Sequence, residues 1–159
     1  MEKVDASALQ VRCLQLPLSG MNLLLPNTCV AEVAEYQEPI PAPHAPNWML
    51  GMLMWRGSSI PLISFEQLLG GEQLVRGSHV RMAIFNSFSG NRGLPFYAME
   101  LQGIPRIVNV RDEDIEQREQ QHADLAPVQC RVVVEGDETI IPDLDIVEGM
   151  LIQLGLGQD

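Results

Sequence analysis

The chain has 159 residues, of which 46% are hydrophobic and 5% aromatic, enough for one domain that buries most of its apolar surface without staples. Acids outnumber Lys and Arg by 21 to 10, the net charge is -11, and Lys3 is the only lysine. Phosphate backbones and anionic lipid surfaces call for clustered cations, so this balance argues against nucleic acid and membrane-surface partners.

In chain order, MEKVDASALQVR carries charges and no apolar segment before a cleavage site, so it does not read as a secretory signal. Cysteines at 13, 29 and 130 are odd in number and unpaired in spacing, which fits a reducing compartment and a cytoplasmic protein. Residues 9–18 (LQVRCLQLPL) alternate like a strand, Ser19-Gly20 punctuates, and MNLLLP resumes the apolar pattern, so a first hairpin is expected. Residues 29–36 (CVAEVAEY) fit a further strand which, if unbulged, has Val30 and Glu32 on one face and Cys29, Ala31 and Val33 on the other; a helical reading also fits so short a run. Pro39, Pro41, Pro43 and Pro46 make the next segment an irregular extended connection and exclude a membrane-spanning helix.

Residues 52–56 and 59–63 flank Gly57-Ser58, a pair suited to a type II′ turn, which puts Arg56 at a hairpin end. Ser64 is placed to cap the amide of Gln67, with Phe65, Leu68 and Leu69 as one apolar face and Gly70 as the stop, so a short helix is expected there. The second half reads as a repetition of this architecture. HVRMAIF places Val80, Met82 and Ile84 opposite His79 and Arg81, and LPFYAMEL and PRIVNV follow as strands. Residues 111–124 (RDEDIEQREQQHAD) are almost devoid of apolar side chains and read as a solvated loop or frayed helix. Two strand runs then surround Glu135-Gly136-Asp137, and Pro142 stands as the first residue of a closing helix with Asp143 and Asp145 favouring its start. Short strands with frequent Gly and Pro point to an all-β protein of barrels or a sandwich, each half closed by a short helix.

Reaction chemistry finds little support. The three cysteines and His44, His79 and His122 show no metal-ligand spacing, and no phosphate-cradling glycine loop is present, so no cofactor is expected. Asp143, Asp145 and Glu148 form a weak cation motif that the helix dipole explains more simply. Cys130 with His79 is the alternative centre, for a small β-barrel enzyme or ligand-binding protein, although Cys130 lies within an apolar strand pattern.

Binding features are better represented. Trp48, Met49, Met52, Met54 and Trp55 offer an adaptable apolar surface, about half of which alternation assigns to the core. Glu32 is either an outward solvating charge or part of a site. Arg56 has two readings: a surface arginine laying its stem over Trp55, or a forked donor held beside an apolar patch for a partner's carboxylate or carbonyls.

Taken together, LLLPNTCVAEVAEY, the proline-rich connector, LGMLMWRGSSIPLISFEQLLG and the ending IIPDLDIVEGML make the chain resemble the CheW-like family of chemosensory coupling proteins. The matching patterns are LP-x-x-x-V-x-E-V, G-x-x-x-x-RG-x-x-x-P and the LLG that closes the first helix. The resemblance implies two intertwined five-stranded barrels of SH3-like type, spanning residues 9–154 between flexible tails at 1–8 and 155–159. It implies no enzymatic activity and two partners: the regulatory domain of a CheA-type histidine kinase, and the cytoplasmic tip of a methyl-accepting chemoreceptor. Arg56 and Gly57 match the RG used for coupling, Glu32 matches the acid of the E-V motif, Val30 and Val33 flank it, and Trp55 completes the implied partner-binding set. Trp55 replaces a usual polar or small residue and Ser64 a common aspartate. GLPFYAMELQGIPRIVNV departs from the usual second-half pattern and looks more like the ChpC type, associated with type IV pilus chemosensory systems.

Overall fold

Two antiparallel hairpins from opposite ends of the chain meet side by side in one sheet. The structure, a computed structural model, describes residues 10–88, 90, 93–111, 113, 115–118 and 127–155. The tails expected at the two ends fall almost wholly outside these residues. Strands β1 (Val11–Leu18) and β2 (Met21–Pro26) form the first hairpin, turning at Ser19-Gly20 as the sequence predicts. Strands β10 (Val128–Val134) and β11 (Asp137–Pro142) form the last, and β11 pairs in parallel with β2. With β8 (Arg106–Val110) and β9 (Ile115–Arg118) at its edges, this first sheet runs β8-β1-β2-β11-β10-β9.

The middle of the chain makes the second sheet. It contains β3 (Val30–Glu35), β4 (Met49–Trp55), β5 (Ser58–Ile63), β6 (Arg81–Asn86) and β7 (Phe96–Leu101) in the order β3-β6-β7-β5-β4, with β5 and β7 parallel. The lobes are therefore intertwined, as the family resemblance implies, and not the sequential halves that periodicity alone suggests. The first sheet has six strands where five were expected. Its extra strand, β9, lies in the charged run read as a loop or frayed helix; pairing with β10 imposes a strand there whatever the composition.

Each lobe has its own small apolar cluster, and a larger one lies between them. Cys13, Leu24, Val108 and Val132 fill the first lobe, and Leu53, Ile60, Leu62 and Ile84 the second. Leu16, Leu23 and Leu25 of the first sheet meet Phe85, Tyr97 and Met99 of the second in the shared core. Strand β6 is consequently buried on both faces: Met82 and Ile84 point into the second lobe, Ala83 and Phe85 into the shared core. The polar face expected for it is absent, because His79 precedes the strand and Arg81 only begins it.

Helices α1 (Phe65–Leu68) and α2 (Leu144–Gln153) follow β5 and β11 and seal the shared core with Phe65, Leu68, Leu144, Val147 and Leu151. Ser64 caps α1, accepting the Gln67 amide at 3.2 Å as its sequence predicts. Asp143, not Pro142, starts α2: its carboxylate accepts the Ile146 amide at 3.2 Å while Pro142 ends β11. The proline-rich connection crosses the outer edge of β4, where Ile40 and Met52 exchange two backbone hydrogen bonds of 2.8 Å. That approach requires Gly51, since a Cβ there would stand 2.4 Å from the Ile40 carbonyl oxygen. No helix among the described residues is long and apolar enough to cross a membrane.

Candidate functional site

The β4–β5 hairpin closes on the pair Trp55–Ser58, leaving Arg56 and Gly57 as the two loop residues. Their φ angles are 46° and 80°. Two positive φ values in a two-residue loop are the signature of a type I′ turn, whose twist matches the flanking strands. The type II′ turn at Gly57-Ser58 expected from the sequence is thus displaced by one residue, and Arg56 itself takes the left-handed conformation. A non-glycine residue there costs about 1 kcal/mol of backbone strain.

Across the lobe, β3 supplies Glu32. A bulge between Val30 and Glu32 shifts the register against β6, so that Val30 faces Phe85 and Glu32 faces Ile84. The bulge overturns the shared face expected for Val30 and Glu32: Val30 sides with Phe85 toward the shared core and Glu32 with Ile84 toward the second lobe, both half-buried, while Ala31 and Val33 are exposed. Cys29 does not share their strand; it sits buried in a single 3-10 turn, Asn27–Cys29.

Strands β3 and β4 are the two edges of the second sheet, and side chains rather than a backbone ladder join them. The Trp55 indole Nε1–H donates to Glu32 Oε2 at 2.8 Å, and Arg56 Nη2 donates to Glu32 Oε1 at 3.1 Å. The Arg56 guanidinium lies over the Trp55 ring at 4.6 Å from its centroid. Trp55 in turn meets Phe96, the first residue of β7, edge to face at 4.8 Å. Hydrogen bonding from the Trp55 indole, and next from Arg56, holds the Glu32 carboxyl below its ordinary value against the opposing push of partial desolvation. Arg56 remains 66% exposed at its side chain, and Met54, two residues earlier on β4, is 57% exposed. Of the Trp48–Trp55 apolar run, Met49 is buried and Trp48 and Met52 pack on the shared core, so the available surface reduces to Met54 and the half-buried Trp55.

The residues singled out from the sequence are therefore brought together in part. Glu32, Trp55, Arg56 and Gly57 form one array, whereas Val33 is exposed on the other face of β3 and Val30 turns toward the core. Phe96 was missed. Nothing in LPFYAMEL marks it as the seat of a tryptophan more than thirty residues away.

At the opposite end of the same lobe, Arg76 from the connection before β6 donates to the buried Glu100 at 2.6 Å and lies over Tyr36 at 4.8 Å. Burial pushes the Tyr36 hydroxyl up to about 12. This ion pair ties an otherwise irregular segment to β7.

A groove of about 420 Å³ opens on the first lobe where α2 begins. Leu25, Pro26, Ile141 and Leu144 line it from one side, and Phe88, from the connection between β6 and β7, from the other. Glu148 fixes that wall, accepting hydrogen bonds from the Ser87 hydroxyl at 2.6 Å and the Phe88 amide at 2.9 Å.

The alternative reaction centre is not assembled. Cys130 lies on β10 of the first sheet and His79 precedes β6 of the second. Burial raises the Cys130 thiol, which disfavours the nucleophilic thiolate. Asp143 caps α2 and Glu148 holds the 87–88 connection, so neither is a spare cation ligand. Among the described residues no group of three or more His, Cys, Asp and Glu side chains is arranged to hold a metal ion.

Comparison with known proteins agrees with this architecture. A family model described as the CheW-like domain matches residues 12–150. A solved structure, that of the scaffolding protein TtCheW from Thermoanaerobacter tengcongensis, aligns over 85% of each chain with a TM-score of 0.72 and 18% identity, a likeness of fold. A search of curated protein sequences finds no match.

Proposed function

The chain belongs to the CheW-like family, and from that premise we propose that it is a non-enzymatic scaffold coupling chemoreceptors to a CheA-type histidine kinase in the cytoplasm. The Arg56-Gly57 turn docks the kinase regulatory domain, and the groove at the start of α2 takes the helical tip of a methyl-accepting chemoreceptor. The observation that carries this reading is the clasp of Glu32, Trp55 and Arg56: a strained, exposed arginine whose side chain is held by two neighbours beside an apolar edge. A guanidinium held in place at an exposed turn, with donors to spare, suits a surface built to bind. TtCheW, whose fold this chain shares, is described as a scaffolding protein.

The altered strands around Phe96 and Arg106 favour an auxiliary coupler of the ChpC type, serving a type IV pilus chemosensory system, as the finer reading. Arg56→Ala tests the coupling role. The variant is expected to melt like wild type and to retain much less kinase and receptor in pull-downs from the native cell. Full retention with normal signalling removes the role given to Arg56. Identification of the co-purifying kinase and receptor decides between a pilus and a swimming pathway.

A further inference from the structure

We propose that Trp55, seated on Phe96, is the positioning residue of this docking edge, ordering the Arg56 guanidinium so that the partner meets it edge-on. The inference rests on the docking role proposed for Arg56.

An arginine at the tip of a two-residue turn has no neighbouring backbone to lean on, and its free side chain carries about 2 kcal/mol of rotamer entropy. Here the indole face supports the guanidinium at 4.6 Å. The indole cannot swing away without losing two contacts, its hydrogen bond to Glu32 and its edge contact with Phe96. Glu32 completes the frame, with one oxygen receiving Trp55 and the other Arg56. Among the described residues Glu32 is the hydrogen-bond acceptor of the guanidinium, through Nη2 alone, so the Nε and Nη1 donors are left for a partner. With one ring face covered by the indole, the geometry suits a planar acceptor such as a carboxylate approaching in the guanidinium plane. Trp55 is also where this chain departs from the small or polar residue that the resemblance leads one to expect. A phenylalanine would fill the same seat on Phe96; what the indole adds is the N–H that locks it to Glu32.

Two conservative variants test this. Trp55→Phe keeps a ring and loses the N–H donor, and Phe96→Leu keeps apolar volume and loses the ring edge. In the free protein, the Arg56 Nε–H resonance is expected to show a restricted side chain in wild type and an averaged one in both variants. Calorimetry with the purified regulatory domain of the CheA-type kinase from the same organism is expected to give about three- to tenfold weaker binding for each, and a larger loss for Arg56→Ala. Glu32→Gln, which can still accept from the indole, is expected to retain more order than Trp55→Phe. If Trp55→Phe leaves the guanidinium ordered and binding within about twofold of wild type while Arg56→Ala binds weakly, the positioning role is overturned and the docking role stands. If Arg56→Ala binds as wild type, the docking role itself is lost, whatever the resonances show.

Discussion

Arg56 and Glu135 hold the same place in the two lobes with opposite charge. Each is the first residue of a two-residue hairpin loop, with φ of 46° and 51°, and each precedes a glycine, at 80° and 85°. After each loop comes a six-residue strand, a capping residue and a short helix: Ser64 and α1 in one lobe, Asp143 and α2 in the other. The environments differ. Arg56 is clasped by Trp55 and Glu32, whereas Glu135 has Arg106 only at 4.0 Å, both of them well exposed. Local turn chemistry is common to both lobes, and the ordered side chain belongs to one.

The docking role proposed for the Arg56 turn implies a trade between stability and binding. Asn-Gly suits a type I′ loop better than Arg-Gly, so Arg56→Asn relieves backbone strain while losing the cation–π contact, worth about 0.5–1 kcal/mol at an exposed site. Its unfolding free energy is expected within about 0.5 kcal/mol of wild type, with kinase binding lost. Gly57→Ala meets no atom within 4 Å, yet its φ of +80° is expected to cost about 1 kcal/mol by backbone strain alone. Denaturant melts of both variants check the pair.

Acid should open the clasp late. The Trp55 indole N–H, and then Arg56, keep the Glu32 carboxyl below its ordinary value of 4.5. Because the folded-state value lies below the unfolded one, the clasp adds stability above the ordinary carboxylate range and loses it as pH falls through the depressed folded value. Titration followed by the Trp55 indole N–H resonance is expected to show no change from pH 7 to about 5 and a midpoint below that of an unperturbed glutamate. In Trp55→Phe, followed at the Glu32 side chain, the midpoint moves up toward the ordinary value. A wild-type midpoint at or above that value contradicts the clasp.

Breaking the pair at the other end of the lobe is expected to be costly. Glu100 is 4% exposed and Arg76 24% exposed at their side chains. Arg76→Ala strands a buried carboxylate and is expected to lose about 3 kcal/mol, whereas the double variant Arg76→Met with Glu100→Leu loses much less because no uncompensated charge remains. Urea unfolding of the two proteins measures the difference. Equal losses argue that the segment is held by packing and not by charge.

Gly51→Ala is expected to be among the most damaging single-methyl changes in the second lobe. The added carbon would stand 2.4 Å from a backbone oxygen, which no side-chain rotation relieves, at a φ of +146°. A loss of about 2–3 kcal/mol follows, with faster amide exchange at Ile40 and Met52 as their paired hydrogen bonds open.

Much of the local structure was legible in the sequence. The Ser19-Gly20 hairpin, the Ser64 cap, the strand between Glu32 and its flanking valines, and the turn at Arg56 all depend on residues a few positions apart, where periodicity and capping chemistry act directly. The one-residue error at the turn is of the same local kind: a glycine that can open a II′ loop can also close a I′ loop, and the choice follows from the strand register around Trp55 and Ser58. The family pattern pointed to Glu32, Arg56 and Gly57 without saying what holds them.

Composition, charge and alternation by themselves determined an all-β chain with short capped helices and an apolar run ending in arginine. Tertiary structure alone decided that β2 lies beside β11, that an acidic run supplies the edge strand β9, that β6 is buried on both faces, and that Phe96 seats Trp55 against Glu32. The reason is distance along the chain: these pairings join segments tens of residues apart, and their energy comes from burying surfaces against each other, a quantity no local window contains.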